Sequence, residues 1–337
     1  MIRSLRGKAT ALLLAVALSA GSLTGCSVAG AEVVWTSSLG RHTVFKIGDE
    51  KCTLTEAKVF LVNYRNMYTK NFGNQSWKQK HKGETLEEFT KDATLTQLAK
   101  MKTMVQLAEK KKISLTEDEQ ESVKKCAKQY YDSLTKDEIH YMRVSESKLE
   151  DLYSDMALAT KLYEHLTGGV NEEVSDDDAR VMDVEQIVMD DEKVAKKVGK
   201  KIANGSDFLN LASNYSTSNK RKTSLYRQNI SDTLAAGLEK LDDGEISDLI
   251  MDDDGTYYYI KVINKIDREL TEENKAVIVK ERAAAAFDNV YNSYVQEIPS
   301  TFNHKMWDKF TIDTEDELKT SSFFSVFDDE FSSLKQE

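Results

Sequence analysis

The chain has 337 residues, 57 acidic against 46 basic, for a formal charge of −11. That acidic surplus excludes a nucleic-acid binder, whose phosphate contacts need concentrated lysine and arginine. Three cysteines in such a length exclude a disulfide framework and a cysteine-type zinc site.

The first residues carry Arg3, Arg6 and Lys8, then an apolar run from Ala9 to Ala20, then Leu23-Thr24-Gly25-Cys26. A basic start, an apolar run and a small-residue cleavage site compose a secretory signal, here residues 1–25. The run is too short for a bilayer span, which takes roughly 20 apolar residues. Leu23-Thr24-Gly25-Cys26 resembles the lipobox of bacterial lipoproteins. That resemblance implies a diacylglyceryl group on Cys26, cleavage before it, and a lipoprotein held by palmitate-type chains on the extracytoplasmic face of the cell membrane. One acyl chain anchors only marginally, whereas several hold stably. Loss of Arg3, Arg6 and Lys8 takes the formal charge from −11 to −14. An acidic mature chain gains nothing from an anionic membrane surface, so the lipid supplies the anchoring.

Residues 26–43 are small and polar and read as a lipidated tether. A mainly helical domain is expected over 44–169, opening with a short strand and turn at Thr43–Lys51. Its first helix begins at a capping box, Thr53 with Glu56, and carries Leu54, Ala57, Phe60, Leu61, Tyr64 and Met67 at helical spacing. A second spans roughly 84–112 with Leu98, Met101, Val105 and Ala108 on one stripe. A third starts at the box Thr116/Glu119 and includes Leu134. A fourth starts at the box Ser147/Glu150 and stops at Gly168-Gly169. Each stripe opposes a Lys/Glu-rich side, so the helices pack on one another.

After Gly169 the pattern predicts a strand over 181–189, helices from Asp191 to about Asn204 and from Phe208 to about Tyr215, and a polar basic loop over Ser216–Asn229. A short helix with Leu234, Leu238 and Leu241 follows, then strands around Glu245–Met251 and Tyr257–Lys265. That order within 175–268 is a small α+β domain. Residues 269–312 hold a last long helix, ending before Pro299 and expected to pack on the helical domain. Residues 313–337, acidic but with Phe323, Phe324, Phe327 and Phe331, read as a weakly ordered tail or an amphipathic arm.

The α+β segment resembles a parvulin-type peptidyl-prolyl isomerase (rotamase) domain. The resemblance rests on Val184-Glu185-Gln186-Ile187-Val188, on Asn204-Gly205-Ser206-Asp207-Phe208 with Leu211-Ala212 and Tyr215-Ser216, on Gly244-Glu245-Ile246-Ser247, and on Tyr257–Val262. Helices before it and one long helix after resemble the PrsA/SurA type of extracytoplasmic foldase. The implied fold is a helical chaperone-like region with a C-terminal helix and a parvulin-like domain between them. In that family a histidine stands in the first strand, where this chain has Gln186, and another in the last, where it has Tyr258. The family's Gly-Gly-Asp-Leu-Gly loop corresponds to Lys222–Tyr226 and lacks both glycines and the acid. By resemblance the substrate cleft comprises Gln186, Ser224, Ile230, Leu234 and Tyr258. Tyr258 is expected to face it, and Tyr257 and Tyr259 the other side.

The five histidines share no metal-ligand spacing, and the acidic clusters at 176–178, 190–192 and 252–254 lack the register of a calcium loop. No metal or cofactor is expected. Met67, Tyr68, Phe72, Trp77, Tyr130, Tyr131, Tyr141, Met142 and Tyr153 either fill the space between helices or line a groove for unfolded segments. The reading is a membrane-anchored folding factor whose partners are unfolded, exported polypeptides and, for the helical region, a second copy of itself. An active isomerase and a non-enzymatic adaptor lipoprotein are the alternatives.

Overall fold

The structure, a computed structural model, describes residues 39–81, 83–312 and 318–334, with the backbone of two strands at 27–28 and 31–35. The expected signal peptide and Cys26 lie outside the described residues.

In chain order, strands β1 (Ser27–Val28), β2 (Ala31–Trp35), β3 (Thr43–Ile47) and β4 (Glu50–Thr53) lead into helix α1 (Leu54–Phe72). A ribbon of β5 (Lys80–His81) and β6 (Glu84–Thr85) precedes α2 (Leu86–Lys110), α3 (Glu117–Ser133), α4 (Lys136–Met142) and α5 (Glu146–Thr167). Next come α6 (Asp176–Ala179), β7 (Val181–Met189), α7 (Glu192–Ala203), α8 (Phe208–Tyr215), β8 (Lys222–Tyr226), α9 (Asp232–Leu238), β9 (Ile250–Met251) and β10 (Tyr257–Asn264). The last elements are α10 (Arg268–Val295), β11 (Ser300–Phe302), α11 (His304–Trp307) and α12 (Phe323–Leu334). The fold is α+β and mainly helical. Among the described residues no helix is long and apolar enough to cross a membrane.

The chain divides into two compact units: unit 1 is 1–168 with 287–337, and unit 2 is 169–286. In unit 1, Thr53, Thr85, Thr116 and Thr135 open α1 to α4 with reciprocal capping boxes. The box at Ser147/Glu150 does not open α5. Arg143 closes α4 in the left-handed conformation, and the chain restarts at Ser145, whose hydroxyl accepts from the Lys148 N–H. The stretch around Leu134 is thus a break between α3 and α4, with a short helix that the periodicity did not predict.

The expected tether includes a paired strand: β2 lies parallel to β11 in a sheet of order β1-β2-β11-β3-β4. Val33, Val34 and Trp35 are strand-forming types, and their partner stands far along the chain. The core of unit 1 gathers Phe60, Leu98, Tyr130 and Tyr153 with Phe287 and Tyr291 of α10. Phe323, Phe327 and Phe331 of α12 belong to it as well. Residues 318–334 therefore pack against the helices, because a phenylalanine stripe at helical spacing outweighs the local charge. Trp77, Tyr130, Met142 and Tyr153 are buried in this core, whereas Met67 and Phe72 are exposed. Cys52 and Cys126 are free and buried.

In unit 2 the antiparallel sheet runs β8-β7-β10-β9. The polar loop expected over 216–229 contains β8, an edge strand held on Val181–Glu185. The strand expected over 245–251 shrinks to β9, with a single bridge from Ile246 to Lys261. Helices α7 and α8 cover one sheet face through Ile187, Met189, Val198, Phe208 and Tyr259. Their approach is close: the Tyr259 hydroxyl lies where a side chain at Gly199 would begin, so a larger residue there would displace the Tyr259 ring. The start of α10 belongs to this unit. Thr271 accepts from the Val181 N–H, and Asn274 donates to the Ala179 carbonyl at 2.9 Å.

Candidate functional site

The candidate site is the second face of the unit 2 sheet. Alternation along β7 sends Met182, Val184, Gln186 and Val188 to that face, and Ile187 and Met189 to the helix-covered one. In β10 the register pairs Tyr258 with Val188 and Ile260 with Gln186. Tyr258 therefore shares its face with Gln186, as a diagonal cross-strand neighbour, roughly 7–8 Å away by the usual geometry of such pairs. Tyr257 and Tyr259 pack on the opposite side with α7 and α8.

Tyr258, Ile230 and Leu234 all join one apolar cluster with Met182, Val184, Ile250 and Ile260. The structure thus brings together four of the five residues expected in the cleft. Ser224 is the exception. It pairs with Asp183, an odd position of β7, and donates a 2.7 Å hydrogen bond to the Asp183 carboxylate. A one-residue offset along a strand reverses the face, so its neighbour Leu225 occupies the cluster instead. Leu225, Met182 and Ile250 were not singled out from sequence. The signal for Leu225 was the alternation Thr223–Leu225 within β8, which has meaning only once the strand is recognised.

Gln186 is buried, and its amide N–H donates to the Lys220 carbonyl at 2.7 Å. Its backbone N–H donates to Arg221, so the connection before β8 is fixed from both sides of one residue. Tyr258 is half-buried, and its hydroxyl is held above the usual tyrosine value by burial, then by the charges of Asp254, Asp252 and Asp190. Ser231, which caps α9 and thereby fixes Ile230 and Leu234, also donates to Asp252. The chemistry on offer is an apolar wall with an amide and a phenol at one end and carboxylates at the rim. Such a face can hold an apolar side chain and hydrogen-bond a peptide unit. Among the described residues it presents no imidazole. Among the described residues no cluster of three or more histidine, cysteine or carboxylate side chains is arranged to hold a metal ion.

No family model matches the chain, and no curated protein matches it. Solved structures do. Among the similar structures are PrsA foldases and a SurA-like chaperone. The peptidylprolyl isomerase PrsA from Bacillus cereus is 17% identical over 89% of this chain and 99% of its own, with a TM-score of 0.38. PrsA from Bacillus subtilis is 21% identical over 69% of this chain and 88% of its own, with a TM-score of 0.26. A structure described among SurA-like chaperones of Campylobacter jejuni is 13% identical over 78% of this chain and 99% of its own, at 0.28.

Proposed function

We propose that this chain is an extracytoplasmic folding factor, lipid-anchored at Cys26, that binds unfolded exported chains. Its unit 2 sheet face serves as a peptide-binding surface and not as an efficient isomerase. One observation carries the reading: at the two positions where the parvulin resemblance calls for histidines, Gln186 and Tyr258 stand on one face beside an apolar cluster. The cradle for an apolar side chain is kept and the imidazoles are absent. Prolyl isomerisation breaks no covalent bond; its barrier of roughly 18–20 kcal/mol is amide resonance. A surface that binds the peptide without strengthening its contacts in the twisted state lowers no barrier. A second reading, an isomerase in which Gln186 and Tyr258 replace the histidines, draws support from the amide and hydroxyl standing diagonally on the same face, since both donate and accept.

Two measurements on the full chain in detergent separate these readings. Turnover of an Xaa-Pro tetrapeptide is expected at the uncatalysed rate, and aggregation of an unfolded client is expected to be suppressed at a several-fold molar excess of the protein. Acceleration of the tetrapeptide that disappears in Tyr258→Phe establishes the isomerase. No suppression of aggregation removes the folding factor and leaves an adaptor.

A further inference from the structure

Unit 1 contains a pocket of about 820 Å³, lined by the start of α1, the turn between α4 and α5, and residues 41–42. Among its lining residues are Arg41, Lys58, Lys102, Arg143 and Lys148, against Glu56 and Asp151. This is a local excess of positive charge in a chain of net charge −11. Lys102 is already committed: its ammonium lies 2.8 Å from Glu56 and 2.5 Å from Asp155. Glu56 is committed with it, to Lys102 and to the Thr53 N–H and hydroxyl.

The other four cations have no carboxylate partner among the described residues. Lys58 is half-buried and donates to the Tyr141 carbonyl at 2.7 Å, with its ammonium 4.2 Å from the centre of the Tyr141 ring. Lys148 donates to the Arg143 carbonyl at 3.0 Å. Burial, and then the charge of Arg143, hold the Lys58 amine below the ordinary lysine value. Arg143 itself is presented from a left-handed backbone position, φ 54°, which a non-glycine residue adopts at some cost. The Lys58 ammonium is held by the Tyr141 carbonyl and the Tyr141 and Phe310 rings, none of which carries a negative charge, and an anion in the pocket would neutralise it and Arg143 together.

The number and placing of the cations narrow the class of anion. A carboxylate offers two coplanar oxygens and one charge. A phosphate monoester offers three oxygens in a pyramid and close to two charges, and so engages several cationic donors around a cavity at once. The volume falls in the range of small-molecule sites, about 300–1,000 Å³, and accommodates a phosphate with a polar organic group attached.

We infer that this pocket binds a phosphate-bearing ligand, with Lys58 and Arg143 on the anion and Arg41 and Lys148 at the mouth. The inference is independent of the unit 2 reading. Two sources share this chemistry: a soluble phosphate monoester, or the monoester headgroup of phosphatidic acid, which the expected lipid on Cys26 would bring within reach.

The test compares the full chain with Arg143→Glu/Lys148→Glu, both exposed positions, after checking that the two proteins melt alike. Glycerol 1-phosphate is titrated calorimetrically into each. The wild type is expected to bind and the variant to bind at least about tenfold more weakly, the effect of losing one charge-assisted hydrogen bond. In a second arm, phosphatidylcholine vesicles with and without phosphatidic acid are floated with each protein. A preference for phosphatidic acid that the variant loses assigns the lipid source; binding of glycerol 1-phosphate with equal flotation on both vesicles assigns the soluble one. Equal behaviour of wild type and variant in both arms overturns the inference.

Discussion

At the scale of single residues, Glu138 shows how a buried charge organises unit 1. Its side chain is fully buried yet accepts from the N–H groups of Thr135, Lys319 and Thr320 and from the Thr320 hydroxyl. Burial alone would raise its pKa, and these donors more than offset it, so the carboxyl is held below the usual glutamate value. The sign of the pH effect follows. A carboxyl lowered on folding stabilises the protein above its unfolded value of about 4.3, and that contribution drains away as pH falls through the lower folded value. Glu138→Gln is expected to cost about 2–3 kcal/mol near neutral pH, the worth of a charge-assisted acceptor with its buried donors left short. Urea denaturation followed across pH 3–7 checks this: the gap between wild type and variant should narrow below pH 4, and a constant gap would assign the loss to packing alone. Nothing in the sequence singled out Glu138, because its helix was not predicted and three of its four donors reach it from residues 319–320. Gln186 and Tyr258 were legible through the parvulin resemblance, and strand alternation then decides which face each occupies. Ser224 was not, because its face depends on a strand whose existence the local residues do not announce.

At the scale of elements, α12 and the segment before it are bound by polar contacts as much as by rings. Arg65 donates to the Leu318 carbonyl and Asn66 to that of Thr320, each at 2.8 Å. The Phe323 N–H donates to Asn63, and its carbonyl accepts from Tyr153. The Phe323 ring meets Tyr153 in a stacked contact at 4.5 Å and Tyr130 edge-on at 5.2 Å. Phe323→Ala should therefore destabilise unit 1 by about 3–5 kcal/mol, the range for removing a buried aromatic. Equilibrium urea unfolding gives the value, and a loss below about 1 kcal/mol would show that α12 docks without contributing to the core. The contrast with the sequence is instructive. Capping boxes at Thr53 and Thr116 placed two helix starts correctly, because both partners lie within four residues. The composition of 313–337 left a tail and an amphipathic arm both open, since its charges are local while the surfaces that receive its phenylalanines belong to α1, α3 and α5. The strand β8 was hidden for the same reason: Lys222–Tyr226 is polar and basic, and pairing with β7 makes it a strand.

At the scale of the whole chain, apolar burial is divided between separate cores. One gathers residues of unit 1, and two smaller ones, on either face of a sheet, gather residues of unit 2. Units that bury their own surface should unfold as separate cooperative transitions. The sequence supplies a convenient reporter, because Trp35, Trp77 and Trp307 all belong to unit 1. Tryptophan fluorescence follows that unit alone, while far-ultraviolet circular dichroism follows both. Ile260→Ala removes a fully buried side chain from the second face of the unit 2 sheet. It is expected to cost unit 2 about 2–5 kcal/mol, moving part of the dichroism transition to lower urea while the fluorescence midpoint stays in place. Phe323→Ala should do the converse, shifting fluorescence and leaving a dichroism component behind. If either substitution moves both signals together, the chain unfolds as one body. The boundary within α10 would then separate two cores without separating two stabilities.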